Sequence, residues 1–376
     1  MTRKSWAVPV VVLLLIGASG LLAPAGAVDP APPVNQVAPS VSGTPQVGAV
    51  LTAVPGTWSP TPTSYAYTWL RDGAAIPGAH AATYRPVGAD RQHHLAVSVL
   101  ASDESTPAAQ AVTSPQTASV GYGEFSVVKA PSIAGVRRWG RTLIAAPGTF
   151  SPAPTSSGYQ WLRDGATIKG ATKAKYATTA SDFGTHLSVR VTLSRADYAT
   201  AAVLSPQTGL IGHRVGVRKS FTYSIGTRGH ITANMKTFAQ IAVQVYANPR
   251  GWRSAGYQFR QVARGGDFTL VLSNASQMPT FGYPCDSTWS CRVGRDVIIN
   301  QTRWLHASPA WNAGHQPLLE YRNMVINHET GHWLGHHHLT CPGKGQLAPL
   351  MMQQSKGLHG CRFNPYPLPS ERWTNR

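Results

Sequence analysis

Read for its alternation of apolar and polar positions, the chain changes character near residue 213. Before that point it offers short alternating runs such as "YAYTWL" (65–70) and "HLSVRVTL" (186–193), separated by turns rich in Gly and Pro. Period-two alternation predicts half-buried strands, and many short ones predict antiparallel sandwiches. The runs also recur. "LTAVPGTWSPTPTSYAYTWLRDGAAIPGAHAATY" (Leu51 to Tyr84) returns as "LIAAPGTFSPAPTSSGYQWLRDGATIKGATKAKY" (Leu143 to Tyr176), 92 residues on and without a gap. Trp69 corresponds to Trp161, Arg71-Asp72-Gly73 to Arg163-Asp164-Gly165, and Tyr84 to Tyr176. A period this long predicts two tandem domains, placed at 43–120 and 130–210. Neither contains a cysteine, so Trp69 and Trp161 are expected to fill cores that no disulfide crosses.

After residue 213 strands and helices mix. "FTYSIG" (221–226), "YQFRQVA" (257–263), "FTLVLSN" (268–274) and "DVIINQTRWL" (296–305) read as strands. "MKTFAQIAVQVYAN" (235–248) carries apolar residues at helical spacing. "LEYRNMVINHETGHWLG" (319–335) reads as an amphipathic helix turning Leu319, Met324, Val325 and Leu334 to the core. The region 213–376 is therefore expected to be a separate α+β domain. Its strand "FTLVLSN" is expected at a sheet edge, where an extended substrate could add as a further strand.

The second helix holds the chemistry. "INHETGHWLGHHHLT" packs five histidines around one acid, Glu329. His328 and His332 are four apart, so on a helix both imidazoles reach one ion from one face. Glu329 sits to one side, placed to hold a water and not the ion. Gly335 follows three residues after His332; it can take φ > 0, stop the helix and return the chain. His338, three further on, then supplies a third imidazole. Three histidines leave a fourth position of one zinc ion open, as catalysis requires. Solvated histidine clusters lack a Glu and a Gly at these offsets, and His336 and His337 read as flanking residues.

The string H-E-x-x-H-x-x-G-x-x-H resembles the signature of the metzincin metallopeptidases, in which a methionine turn follows. "GQLAPLMMQQSKGL" supplies Met351 and Met352; Met351 is preferred, because Ala-Pro-Leu before it reads as the turn's entry. The resemblance implies a zincin-type domain over about the last 155 residues, with His328, His332 and His338 as ligands, Glu329 as general base and Met351 as a floor beneath the imidazoles. More narrowly, "VINHETGHWLGHHHLTCPGKGQLAPLMMQQSKGLHGC" is similar to a family of secreted actinobacterial proteins of uncharacterised function. The preceding units resemble bacterial immunoglobulin-like repeats. The fold class that results is two all-β immunoglobulin-like sandwiches followed by an α+β metzincin-like domain. No tyrosine follows the methionines at once, so no transition-state role is carried over for one.

All four cysteines, Cys285, Cys291, Cys341 and Cys361, lie in the last domain and allow three pairings. Cys285–Cys291, closing "CDSTWSC", and Cys341–Cys361, closing the methionine loop, are favoured. A second, cysteine-containing metal site is the alternative, and the spacings do not suit it. Disulfides require export, and the N-terminus provides for it. Arg3 and Lys4, an apolar run and Ala25-Gly26-Ala27 make residues 1–27 a signal peptide, followed by a Pro-rich linker at 28–42. No other stretch is apolar enough to span a membrane, so the mature chain is expected outside the cell, with the cell wall a candidate place of attachment.

The net charge is +18. From His213 onward 18 Lys and Arg face six acids, so most of the excess sits on the last domain. A basic exported protein attracts anionic wall polymers and acidic peptides. No nucleic-acid-binding motif accompanies the charge. The sequence thus implies a secreted zinc metalloendopeptidase acting on a peptide, a protein or a cell-wall peptide. The rival reading is a wall- or surface-binding protein with a structural zinc. Because the repeats hold no residue of the motif, a chain beginning near Gly212 is expected to suffice for zinc binding.

Overall fold

The computed structural model describes residues 31–103 and 109–373. The signal peptide read at 1–27 and the first linker residues lie outside the described residues. The chain divides into two compact units, Met1–Glu124 with Ala196–Tyr198, and Phe125–Arg195 with Ala199–Arg376. It is a multidomain chain built mostly from β-sheet.

In the first unit, Ser64–Arg71 pairs with Leu95–Ser102 at the centre of a four-stranded antiparallel sheet. Ser40–Ser42, Leu51–Val54 and Thr83–Tyr84 form a second sheet. The same 92-residue offset carries this set onto Ser156–Arg163 with Leu187–Ser194, and onto Ser132–Ala134, Thr142–Ala146 and Lys175–Ala177. Trp69 and Trp161 are fully buried, as expected. Each indole N–H donates to a carbonyl, Ala81 at 3.0 Å and Lys173 at 2.9 Å. Each ring stacks on a tyrosine, Tyr84 at 5.5 Å and Tyr176 at 5.3 Å. Beside each tyrosine a buried aspartate is held by an arginine: Asp90 by Arg71 at 2.6 Å, Asp182 by Arg163 at 2.7 Å. The Arg-Asp-Gly segments make two-residue hairpin turns, with positive φ at Asp72 and Gly73 and at Asp164 and Gly165.

One boundary is corrected. Part of the stretch read as linker, 28–42, forms strands Val34–Val37 and Ser40–Ser42, paired with Thr57–Ser59 and Leu51–Val54. Val34 and Val37 stay exposed, so backbone pairing and not burial holds the first of them, and hydropathy does not reveal it. Pro32 and Pro33 stand just before this strand and Pro39 just after it, where no ladder donor is needed. The 92-residue offset gives the same extension at Ser126–Lys129 in the second repeat.

The C-terminal region carries a five-stranded mixed sheet. Its strands are β1 (Lys219–Arg228), β2 (Tyr257–Gln261), β3 (Phe268–Ser273), β4 (Cys291–Val293) and β5 (Asp296–Asn300), in the order β2-β1-β3-β5-β4. All neighbours are parallel except β4, which runs antiparallel to β5. Helix α1 (Met235–Ala247) is capped by Asn234, whose side chain accepts from the Thr237 amide. It packs with α4 (Leu318–Trp333) and the sheet around Phe238, Phe268, Trp252 and Met324. Short helices α2 (Gln301–His306) and α3 (Pro309–Ala313) lie between.

Three expectations change here. "FTLVLSN" is β3, interior between β1 and β5, so it offers no free edge; the edges are β2 and β4. Its run of four buried residues is the mark of a strand covered on both faces. "DVIINQTRWL" is half strand and half helix, because Asn300 caps α2 by accepting from the Thr302 amide. Leu319 is exposed, whereas Met324, Val325 and Leu334 are buried. Helix α4 is not amphipathic along its middle: every residue from Asn323 to Gly331 is buried. Among the described residues no helix is long and apolar enough to cross a membrane.

Candidate metal centre

Helix α4 ends where the motif needs it to. Leu334 is the last residue in the right-handed region, and Gly335 takes φ +98. The His336 N–H then donates back to Gly331 O at 2.9 Å and the Gly335 N–H to His332 O at 3.2 Å. This pair of bonds is a Schellman ending. Nothing crowds a Cβ at Gly335, so the demand there is the backbone angle and not space.

The return brings the third histidine to the first two. Nε2 of His332 lies 3.2 Å from Nε2 of His328 and 3.1 Å from Nε2 of His338. His328, His332 and His338 form a group whose ligand atoms all lie within 4.8 Å of one another. Two of the tautomers follow from their partners. Nδ1 of His328 faces Leu350 O at 2.8 Å, and Nδ1 of His332 faces His336 O at 2.9 Å. A carbonyl only accepts, so each Nδ1 carries the proton and each Nε2 presents a lone pair. Lone pairs aimed at each other across about 3 Å repel unless a cation lies among them, so this donor set fits a metal such as zinc. Burial holds the imidazoles neutral: desolvation pushes His328 down to about 3 and His332 to about 4, and lowers His338 as well.

Glu329 stands beside this group and is buried; desolvation alone pushes its carboxyl up to about 8. It lines a cavity of about 690 Å³ together with the three histidines. Trp289 and Tyr283, on and beside the loop closed by the Cys285–Cys291 disulfide, also line it. The second link joins Cys341 to Cys361, so both favoured pairings are present. Arg292, on edge strand β4, donates to His332 O at 3.0 Å and fastens that edge to the end of the helix.

Met351 is fully buried beneath Gly331. Its backbone carries more of the site than its sulfur. Leu350 O accepts from His328, and Met351 O accepts the Leu339 N–H at 3.1 Å, next to His338. A residue that sequence reasoning missed braces both: the Glu371 carboxylate accepts from the amides of Leu350 at 2.9 Å, Met351 at 2.8 Å and Leu368 at 2.8 Å. Nothing in the spacing of "LPSERWTNR" marks Glu371; only the scarcity of acids in this region hints at it. His336 stays out of the ligand group. Its ring is buried between Trp252 at 4.7 Å and Trp373 at 4.5 Å, and its contribution is the carbonyl that fixes His332.

The comparisons with known proteins correct the kinship implied by the motif. Residues 198–369 match a family described as a protein of unknown function (DUF3152). No metzincin or other peptidase family is among the findings. The motif string spans eleven positions and fixes ligand geometry locally, so it does not by itself establish descent. No curated protein matches the chain. Among solved structures, the chain is similar to three N-terminal domains of the highly immunogenic outer capsid protein of bacteriophage RB49, at 18% identity over 51% of this chain and 65% of that one, with a TM-score of 0.23. That is slightly less than two-thirds of the capsid chain. A two-domain fibronectin type III segment of chicken tenascin matches at 12% identity over 44% of this chain and 95% of that one, with a TM-score of 0.23.

Proposed function

We propose that the C-terminal α+β region is a zinc-dependent peptide hydrolase, exported and acting outside the cell. The observation that carries this reading is the convergence of three Nε2 atoms with a buried, non-ligating glutamate on one cavity. Bound by His328, His332 and His338, a zinc ion supplies Lewis acidity toward water and toward a peptide carbonyl. Glu329 takes a proton from the attacking water and delivers it to the leaving amine nitrogen. A carboxyl held near neutrality by burial suits both halves of that transfer. Edge strand β4 borders the cavity, and an extended peptide lying along that edge can be held by strand addition. The two disulfides agree with an oxidising compartment.

A purely structural zinc is less consistent with this geometry. Structural sites are closed by four protein ligands, whereas here, among the described residues, three histidines group alone and open on a cavity. The test is metal analysis together with cleavage of a peptide library by the full chain and two variants. Glu329→Ala is expected to keep close to one zinc per chain while hydrolysis falls about 10²–10⁴-fold. His332→Ala is expected to lose the metal. A Glu329→Ala variant with full activity refutes the enzymatic reading.

A further inference from the structure

The turn Pro369–Glu371 is gripped from two sides, and only one of them is the histidine site. Toward the site, Glu371 is 1% exposed and holds the amides of Leu350 and Met351. Those two residues present the carbonyls that fix His328 and the chain beside His338. Toward the second repeat, the next residue, Arg372, sets its guanidinium 5.8 Å from the ring centroid of Trp139. Arg214, in the segment leaving the repeat, stands 5.7 Å from the same ring. Trp139 is only 9% exposed and belongs to the repeat's own core cluster. Guanidinium groups are drawn to an indole face by its quadrupole, and more so where water is excluded. The residue after that, Trp373, lies against His336.

We propose that the second immunoglobulin-like repeat is part of the metal centre, and that through Trp139 and Arg372 it seats the turn from which Glu371 positions the ligands. A three-residue turn makes few bonds of its own and keeps its place through what it touches. Removing the Trp139 contact leaves Arg372 its bond to Pro367 O at 3.3 Å but no anchor on the repeat, and the Glu371 carboxylate beside it loses its fixed register on Leu350 and Met351. Groups that orient ligands in this way govern metal affinity: their loss commonly costs about 10–100-fold. The second repeat shares one compact unit with the C-terminal region, which agrees with a permanent contact. The inference rests on the reading that His328, His332 and His338 hold zinc.

The experiment uses the full chain and measures the zinc Kd by competition with a chelator, with the absorption spectrum of the cobalt-loaded protein as a report on ligand geometry. Trp139→Ala and Arg372→Ala are expected to weaken zinc binding about 10-fold, Glu371→Gln by about 10–100-fold, and all three to shift the cobalt bands. Arg372→Lys, which keeps a cation over the ring, is expected to recover part of the loss. If Trp139→Ala does not fold, Arg372→Ala decides, because it leaves the repeat's core untouched. A wild-type chain that takes up one zinc while both Trp139→Ala and Arg372→Ala bind within twofold of it overturns the inference and leaves the functional reading standing. A wild-type chain that takes up no zinc overturns both.

Discussion

Gly331 and Met351 are packed backbone against sulfur. A methyl group at Gly331 would collide with Met351 Sδ and stand 2.8 Å from Trp252 Cζ2, so helix α4 has room there for hydrogen alone. Gly331→Ala is expected to cost about 1–3 kcal/mol, the usual range for overpacking a full core. Met351→Leu keeps the volume and is expected to cost less than about 1.5 kcal/mol. Urea unfolding of the metal-free chain checks both, and a neutral Gly331→Ala would contradict the packing.

The adjacent histidines separate by role. His338→Ala is expected to abolish zinc binding, since it removes one of three convergent nitrogens. His336→Ala leaves the carbonyl that orients His332 in place and empties the space between Trp252 and Trp373. It is expected to retain zinc and lose about 2–5 kcal/mol of stability, as large-to-small core changes do. Metal content and thermal melting of the two variants decide the matter; loss of zinc in His336→Ala alone would move the third ligand.

Without metal, the site makes stability depend on pH. Glu329 titrates near 8 in the folded chain against an ordinary 4.5. Between those values the folded form keeps a proton that the unfolded chain has released, so stability is fully present below about 4.5 and is lost as pH rises through 8. His328 and His332 act in the opposite direction, losing stability as pH falls from 6.5 toward their folded values of about 3 and 4. Above pH 6.5 the histidine effects are gone and the Glu329 effect remains. The Tm of the chelator-treated chain is expected to drop from pH 6.5 to 9, and Glu329→Gln to flatten that drop. An equal slope in the variant would contradict burial as the cause.

The Cys341–Cys361 link closes a 20-residue loop around the methionine turn. Loop-closure entropy puts its contribution at about 3 kcal/mol. The double variant Cys341→Ala, Cys361→Ala is expected to lose that much in urea unfolding. Peptide mapping without reduction should recover both links as paired here.

The sequence disclosed what depends on neighbours along the chain. His328, His332, Gly335 and His338 are set by helix pitch and one glycine angle, and the tandem repeats by self-comparison. It hid what depends on distant partners. Glu371 acts on Leu350 from 21 residues away through backbone amides, and an acid accepting amides has no sequence signature. The position of β3 inside the sheet is decided by its neighbours, not by its own apolar run. Residues 34–37 pair through their backbones while their valines face solvent, so hydropathy passed over them. Kinship is a further case: a short string reports the geometry of ligands and not the ancestry of the domain that bears them.

The tryptophan cores of the repeats carry one more consequence. Trp69 and Trp161 are locked by stacking and by donation to carbonyls, and neither repeat contains sulfur to cross-link. Both links of the molecule flank the cavity, one on its aromatic loop and one around the methionine turn. Redox sensitivity is therefore distributed unevenly along the chain. A thiol reductant is expected to leave the two repeats as they are and to act only on the loops beside the cavity, which hold both links.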